Sequence, residues 1–311
     1  MRDILTITMN PAVDITTSAA TVAPTHKIRC GASQRHPGGG GINVARVVQR
    51  LGGDCAALFP VGGSSGEVLK HLLDEENINK LCVPISGETR ESFSVNESST
   101  SNEYRFVLPG PDMAPAEWQA CIDLMTSLQP SPRYVVASGS LPPGVPVDFY
   151  ARLAKLARAM GTQVVLDTSG PALAAALEEG VFIVKPSLRE LRELVGRPLE
   201  THAQWLEAAH DLVNRGKTHI VVLSLGEGGA WLVTASDTCF APALPVQVVS
   251  TIGAGDSFVG GMVWALSQGL PVRESFRYGM AAASAAVLSV GTGLCSQADV
   301  IRLHDQVTLA C

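Results

Sequence analysis

The chain has 311 residues, 46% of them hydrophobic and 17% charged, with 30 glycines and only 5% aromatics. That composition excludes a disordered or fibrous chain and supplies apolar material for one large α/β domain or two small ones. The formal net charge of −6 argues against a general nucleic-acid binder.

Seven cysteines at wide spacing, with no Cys-x-x-Cys pair, predict reduced and mostly buried thiols and no zinc site. No stretch approaches roughly eighteen uninterrupted apolar residues, so no membrane span is expected. The opening MRDILTITMNPAVD lacks a basic start followed by a long apolar run. It predicts no secretory leader, and the cytoplasm is the expected compartment.

In chain order, short apolar runs alternate with longer amphipathic ones. Residues 4–9 read as a buried strand, 42–51 as a helix, 56–61 as a strand and 66–76 as a helix. Strands at 134–137, 164–167 and 182–185 alternate with helices at 147–160 and 171–179. Helices at 188–195 and 203–214 then precede a strand at 220–223. This rhythm predicts a mostly parallel sheet covered on both faces. Segments 27–35 and 92–107 break it: they are polar and alternating, with turn signals at 98–102. They predict a small β layer off the main sheet, which must cover a ligand or pair with another subunit. Three successive helices are expected at 255–268, 274–288 and 298–309. The prolines at 109–115 and 130–132 punctuate loops.

The motif with most chemical content is Gly253-Ala254-Gly255-Asp256, opening an apolar helix. Bare amides at a helix start form an anion site, suited to the charge that builds on a transferring phosphoryl group. Asp256 beside them is placed to take a proton from an attacking hydroxyl; read alone, it equally suits a helix cap. Four glycines, Gly38 to Gly41, precede a second apolar helix and suggest close backbone approach to a ligand, with Asn43 offering its amide to sugar hydroxyls. Asp14 follows the first strand, where open α/β sheets bind ligands, and equally suits a turn. Ser224-Leu225-Gly226-Glu227-Gly228-Gly229 is a glycine-rich turn suited to passing under a nucleotide. Lys185 at a strand end, with Glu190 on the next helix, suits phosphate and a water-linked Mg²⁺. There is no Gly-x₄-Gly-Lys-Ser/Thr loop and no dinucleotide fingerprint after the first strand.

Together, GGGGINVAR at 38–46 and the GAGD stretch at 250–261 resemble the PfkB family of the ribokinase-like superfamily of sugar kinases. The resemblance spans essentially the whole chain. The NPAVD turn, Lys27–Cys30, Tyr104-Arg105-Phe106, the Ser138–Val145 stretch and residues 291–296 draw it closest to the 6-phosphofructokinase branch. It implies a three-layer α/β/α fold with a mostly parallel sheet and a small β lid from about 27–35 and 92–107. It implies Asp256 as catalytic base, with Gly253, Ala254 and Gly255 as anion hole. Asp14, Gly39 and Asn43 would bind the sugar, and Lys27 and Arg90 its phosphate. Either Ser138 or Ser140 would also reach the substrate. Lys185, Ser187, Ser224, Gly226 and Gly229 would line the ATP site, with Glu190 supporting Mg²⁺ through water. The loop at 291–293 would help form a site for a monovalent cation, K⁺. The implied reaction phosphorylates fructose 6-phosphate with ATP. Fructose 1-phosphate and tagatose 6-phosphate are alternative acceptors, and a non-catalytic sugar-phosphate sensor is the alternative of another class. A homodimer through the lid is implied, with no nucleic-acid or membrane partner. Two positions depart from the family: Ser187 stands where its motif has asparagine, and Gly293 where the most similar members carry arginine.

Overall fold

The computed structural model describes residues 3–311. The first third contains β1 (Ile4–Ile7), β2 (Ala12–Ala19), β3 (Gln34–Gly38), α1 (Gly40–Arg50), β4 (Cys55–Val61), α2 (Gly63–Glu75), β5 (Asn79–Pro84), β6 (Arg90–Glu97) and β7 (Glu103–Val107). The middle runs α3 (Pro115–Ser127), β8 (Tyr134–Ser138), α4 (Phe149–Ala159), β9 (Gln163–Asp167), α5 (Gly170–Glu179), β10 (Val181–Val184), α6 (Leu188–Val195), α7 (His202–Asn214) and β11 (Thr218–Ser224). The chain closes with β12 (Ala230–Val233), β13 (Thr238–Ala241), α8 (Ala254–Ser267), α9 (Val272–Ala286) and α10 (Gln297–His304).

Nine strands form one sheet in the order β13-β12-β11-β10-β9-β8-β1-β4-β5. From β11 to β5 every pairing is parallel, and β11-β12-β13 end the sheet as an antiparallel meander. Successive side chains of a strand face opposite sides, so each strand feeds two cores. Ile4 and Val136 pack with α1, α2, α8, α9 and α10, whereas Leu5 and Val135 pack with α3 to α7. Fully burying one such aliphatic side chain stabilises the fold by roughly 1.5–3 kcal/mol.

The second sheet has the order β3-β2-β6-β7. Its boundaries correct the expected lid segments. Of residues 27–35 only Gln34 and Arg35 lie in a strand, while 92–107 falls within β6, a turn and β7. The centre of the sheet is β2, which pairs with both β3 and β6. Read from sequence, Asp14 sat in a loop after the first strand; it is instead a mid-strand residue of β2, opposite His36 and Ser92.

The thiol expectation needs a second correction. Ala310 pairs with Phe240 beside β13, which brings the terminal Cys311 against Cys239, and the two form a disulfide. Of the free cysteines, Cys30 is exposed. Among the described residues no helix is long and apolar enough to cross a membrane.

Candidate active site

The carboxyl ends of the parallel strands, the start of α8 and one face of the small sheet converge on a single cleft. Gly253 caps α8 with φ 75°, a left-handed conformation that glycine adopts without strain. A Cβ there would also lie 2.5 Å from Leu294 Cδ2. The turn leaves the first amides of an apolar fourteen-residue helix without intrahelical partners, and Asp256 stands in that first turn.

The Asp256 carboxylate accepts a hydrogen bond from Asn43 Nδ2 at 2.8 Å, across from the first turn of α1. Burial, reinforced by the nearby Asp167 carboxylate, pushes its pKa up to about 6, against the Asn43 bond and the Lys185 charge. A carboxylate so tuned is ionised at neutral pH yet basic enough to take a hydroxyl proton as the bond to phosphorus forms.

Lys185, just past β10, is 7% exposed and pairs with Asp167 at the end of β9 at 3.1 Å. Burial opposes its charge, but Asp167, Asp256 and Glu190 together hold its pKa above the ordinary lysine value. A permanent cation therefore sits beside the first turn of α8, where a phosphoryl group would meet both.

Facing these groups, the small sheet presents Asp14, Thr16, Ser92, Ser94 and Arg105, with Thr292 of the 291–293 turn closing the cleft. Burial raises the Asp14 pKa, opposed by Arg105, Arg90 and Arg46. A Cβ on Gly38 would collide with the Asp14 carboxylate, so that glycine serves the sheet's active face. The neighbouring glycines answer to close packing on the main sheet. A Cβ at Gly39, whose φ is 110°, would lie 2.6 Å from Thr8 Cγ2, and one at Gly41 2.7 Å from the Ile7 carbonyl.

A model of the pfkB family of carbohydrate kinases matches residues 6–299. The chain belongs to that family. It is 49% identical over 302 residues to ATP-dependent 6-phosphofructokinase isozyme 2 of Mycobacterium tuberculosis, covering 97% of this chain and 89% of the relative. It is 40% identical to the isozyme of the same name from Escherichia coli, with 98% of each chain covered. Against 1-phosphofructokinase of Bacillus subtilis the identity is 33%, over 93% of this chain and 94% of the relative. The crystal structure of phosphofructokinase-2 from Escherichia coli in complex with potassium superposes with a TM-score of 0.94 at 39% identity, over 98% of this chain and 99% of that one. The fold is thus the ribokinase-like α/β fold, with a large, mostly parallel sheet and a small separate one.

Within this pfkB-family site, the turn after β11 is tied to the turn after β10, because Ser224 N donates to the Pro186 carbonyl at 3.0 Å. Gly226 and Gly229 both have positive φ, and a Cβ on Gly229 would strike the Ala241 carbonyl. Ser187 and Glu190 are engaged with each other. Ser187 N donates to Glu190 Oε2 at 2.8 Å, and Glu190 N donates to Ser187 Oγ at 3.3 Å. This reciprocal cap contributes roughly 1 kcal/mol to the start of α6 and occupies one carboxylate oxygen.

Arg90 donates to the carbonyls of Asn10 and Leu108 at 2.9 Å each, and its Nε is buried without a partner. Lys27 does not join this group within one chain. The antiparallel β2–β3 register, continued by the Ala19–Cys30 bridge, carries the connecting loop past the far end of β2. Lys27 is exposed there, beyond a residue five places from Asp14, or roughly 17 Å along the strand. Ser138 is 1% exposed with Gly40 packed on its hydroxyl, whereas Ser140 is exposed and accepts from Asn10 Nδ2 at 3.2 Å.

Among the residues given no role from sequence, three charged ones are in the cleft or support it. Arg105 could have been found from strand alternation, because β6 and β7 place it on the same face as Ser94, Thr16 and, two residues along, Asp14. Asp167 closes a strand as Lys185 follows one, and only the β9–β10 adjacency pairs them. Arg46 closes the GGGGINVAR motif, but nothing in the sequence marked it as buried, since an arginine in a helix ordinarily faces solvent.

Proposed function

We propose that this pfkB-family chain transfers the terminal phosphoryl group of ATP to fructose 6-phosphate, giving fructose 1,6-bisphosphate, with Asp256 as general base. The observation that carries the reading is the buried Asp256 carboxylate in the first turn of α8, which accepts from Asn43 Nδ2 at 2.8 Å and whose pKa burial pushes up to about 6. The identity of the acceptor draws on the relatives at 49% and 40% identity, both 6-phosphofructokinases.

In this mechanism Asp14 and Asn43 orient the sugar hydroxyls, with Gly39 lending backbone and Ser140 the exposed hydroxyl at the rim. Arg90 and Arg105 hold the sugar's phosphate by charge-assisted hydrogen bonds. The nucleotide lies along Ser224–Gly229, with Ser187 at its edge, and Lys185 neutralises its terminal phosphates. As the hydroxyl attacks in line, Asp256 takes its proton, and the amides at 253–255 stabilise the charge on the transferring group. The small sheet covers the cleft and excludes water, the competing acceptor.

Among the described residues no group of three or more His, Cys, Asp or Glu could hold a metal alone. Glu190 Oε1, 3.8 Å from Arg189 Nη2, would be an outer, water-linked partner for Mg²⁺ carried by the nucleotide phosphates. When bound, the metal supplies charge neutralisation on the phosphates. The proposal of K⁺ as a monovalent activator draws on the potassium complex of the relative from Escherichia coli. Arg50, which donates to the carbonyls of Gly293 and Cys295, supplies a guanidinium to the turn where Gly293 has none. The outer face of the small sheet exposes Phe93 (38%) and Phe106 (54%), paired across β6 and β7. We assign it to a homodimer, and the compartment to the cytoplasm.

ADP release measured with fructose 6-phosphate, fructose 1-phosphate and tagatose 6-phosphate, with Mg²⁺ and with or without K⁺, tests the reading. Preference for fructose 6-phosphate is expected. Preference for fructose 1-phosphate would move the chain beside its 1-phosphofructokinase relatives with the mechanism intact. Binding without turnover of any of them would defeat the kinase reading in favour of a sensor.

A further inference from the structure

Arg46 is fully buried at 0% exposure, in the middle of α1, and every arm of its guanidinium is engaged. Nε and Nη2 fork onto Glu76, with Nε at 3.0 Å from both carboxylate oxygens and Nη2 at 2.6 Å from Oε1. Nη1 points the other way and is shared among three acceptors. These are the Pro37 carbonyl at 3.1 Å, the Thr292 carbonyl at 3.0 Å and Asn43 Oδ1 at 3.2 Å. A buried cation is costly unless its partners are this complete, and the last of these partners is the residue that touches Asp256.

An asparagine amide has nearly the same shape in either orientation, so its surroundings decide which end faces which neighbour. Arg46 has donors only and is permanently charged, so the end turned toward it must be the oxygen. That leaves Asn43 Nδ2 on Asp256 Oδ2, at 2.8 Å. In the flipped amide, an oxygen would face the carboxylate and an NH₂ would face the guanidinium, two repulsive contacts replacing two attractive ones. The same Nη1 joins the glycine loop, through Pro37, to the 291–293 turn that closes the cleft beside Asp14. We infer that Arg46 is a positioning residue for phosphoryl transfer, acting through Asn43 to set the hydrogen bond on Asp256 while holding these two loops in register.

This inference rests on Asp256 being the base. Asp256 faces Lys185 from the end of β10, Asp167 from β9 and Asp14 from β2, besides its Asn43 donor on α1. The Asn43 bond favours the ionised carboxylate, so losing it raises the pKa and moves the acid limb of kcat to higher pH. A merely structural arginine would not move that limb.

The experiment compares the full chain with Arg46→Lys, Asn43→Ala, the double variant, Glu76→Gln, Arg50→Gln and Asp256→Asn, using ATP and fructose 6-phosphate across pH. Lysine keeps the charge but cannot make the fork. Arg46→Lys is expected to lower kcat about tenfold, with KM for ATP nearly unchanged and the acid limb shifted upward. In the Asn43→Ala background the same substitution should add less than about a further twofold, because the two act as one unit. Arg50→Gln removes the second arginine from Glu76 and the bonds to the carbonyls of Gly293 and Cys295, but leaves the Arg46 fork and Asn43 their own partners, so it should shift the acid limb less than Glu76→Gln does. If Arg46→Lys does not fold, Glu76→Gln decides: it loosens the anchor of the fork and should shift the limb in the same direction by less. An unshifted limb in a folded variant, or kcat losses that simply multiply in the double variant, would overturn the inference. Undiminished turnover in Asp256→Asn would instead overturn the base assignment, independently of Arg46.

Discussion

The nine-stranded sheet delivers its functional groups from buried sites at strand ends and helix starts, whereas the four-stranded sheet delivers them from mid-strand with solvent behind. Lys185, Asp167 and Asp256 stand on the first, in surroundings dry enough to lift the Asp256 pKa to about 6. Asp14, Ser92 and Arg105 stand on the second, whose opposite face exposes Phe93 and Phe106. Under the proposed mechanism the division follows from what each task requires. Tuning a base needs desolvation and fixed neighbours, which the two-sided core supplies around Asp256. Gripping an entering phosphate needs cations that open to solvent and then close on the ligand.

Perturbing each side separately tests that division. The largest effect is expected on the large-sheet side. Asp256→Asn should lower kcat by at least about a thousandfold while KM for ATP, measured by steady-state ADP release, changes little. A loss confined to KM would mean the residue binds rather than reacts. On the small-sheet side, Arg90→Gln or Arg105→Gln should raise KM for fructose 6-phosphate on the order of tenfold or more, with a smaller change in kcat. Equal losses in kcat would place these arginines in the chemical step and blur the comparison. The mildest perturbation is pH itself. The base must be ionised, so kcat should fall about tenfold per unit below pH 6 and level off above it. A limb well below pH 5 would mean that bound substrate restores an ordinary carboxylate.

The two regions were also unequally legible. Most of the parallel βα units could be read because their strands carry apolar runs and their helices a covered stripe; β5, which opens on Asn79 and Lys80, has no such run and was not read. Helix α6 matches its expected span in full, and α8 is displaced by one residue at each end. Asp256, Asn43 and Lys185 could be read because their motifs abut those elements. The small sheet was harder. β2 is rich in threonine and serine and follows Asn10-Pro11, which masks it as a turn. β12 and β13 are only four residues each, and α3 hides its start behind Pro115. Lys27 was assigned by motif alone, and the β2–β3 register carries it away from the site in its own chain.

The sequence by itself determined the alternation that builds a covered parallel sheet, the glycine turn opening α8 and the acid in its first turn. These are local properties, set by periodicity, backbone freedom and helix-end chemistry over a few residues. Tertiary structure alone decided which side chains meet: Arg46 with Thr292 across 246 positions, Asn43 with Asp256 across 213, and Asp167 with Lys185 on neighbouring strands. A polar side chain carries the same local signature whether it faces water or a buried partner. Its partner is chosen by strand order and register, which depend on the packing of the whole chain.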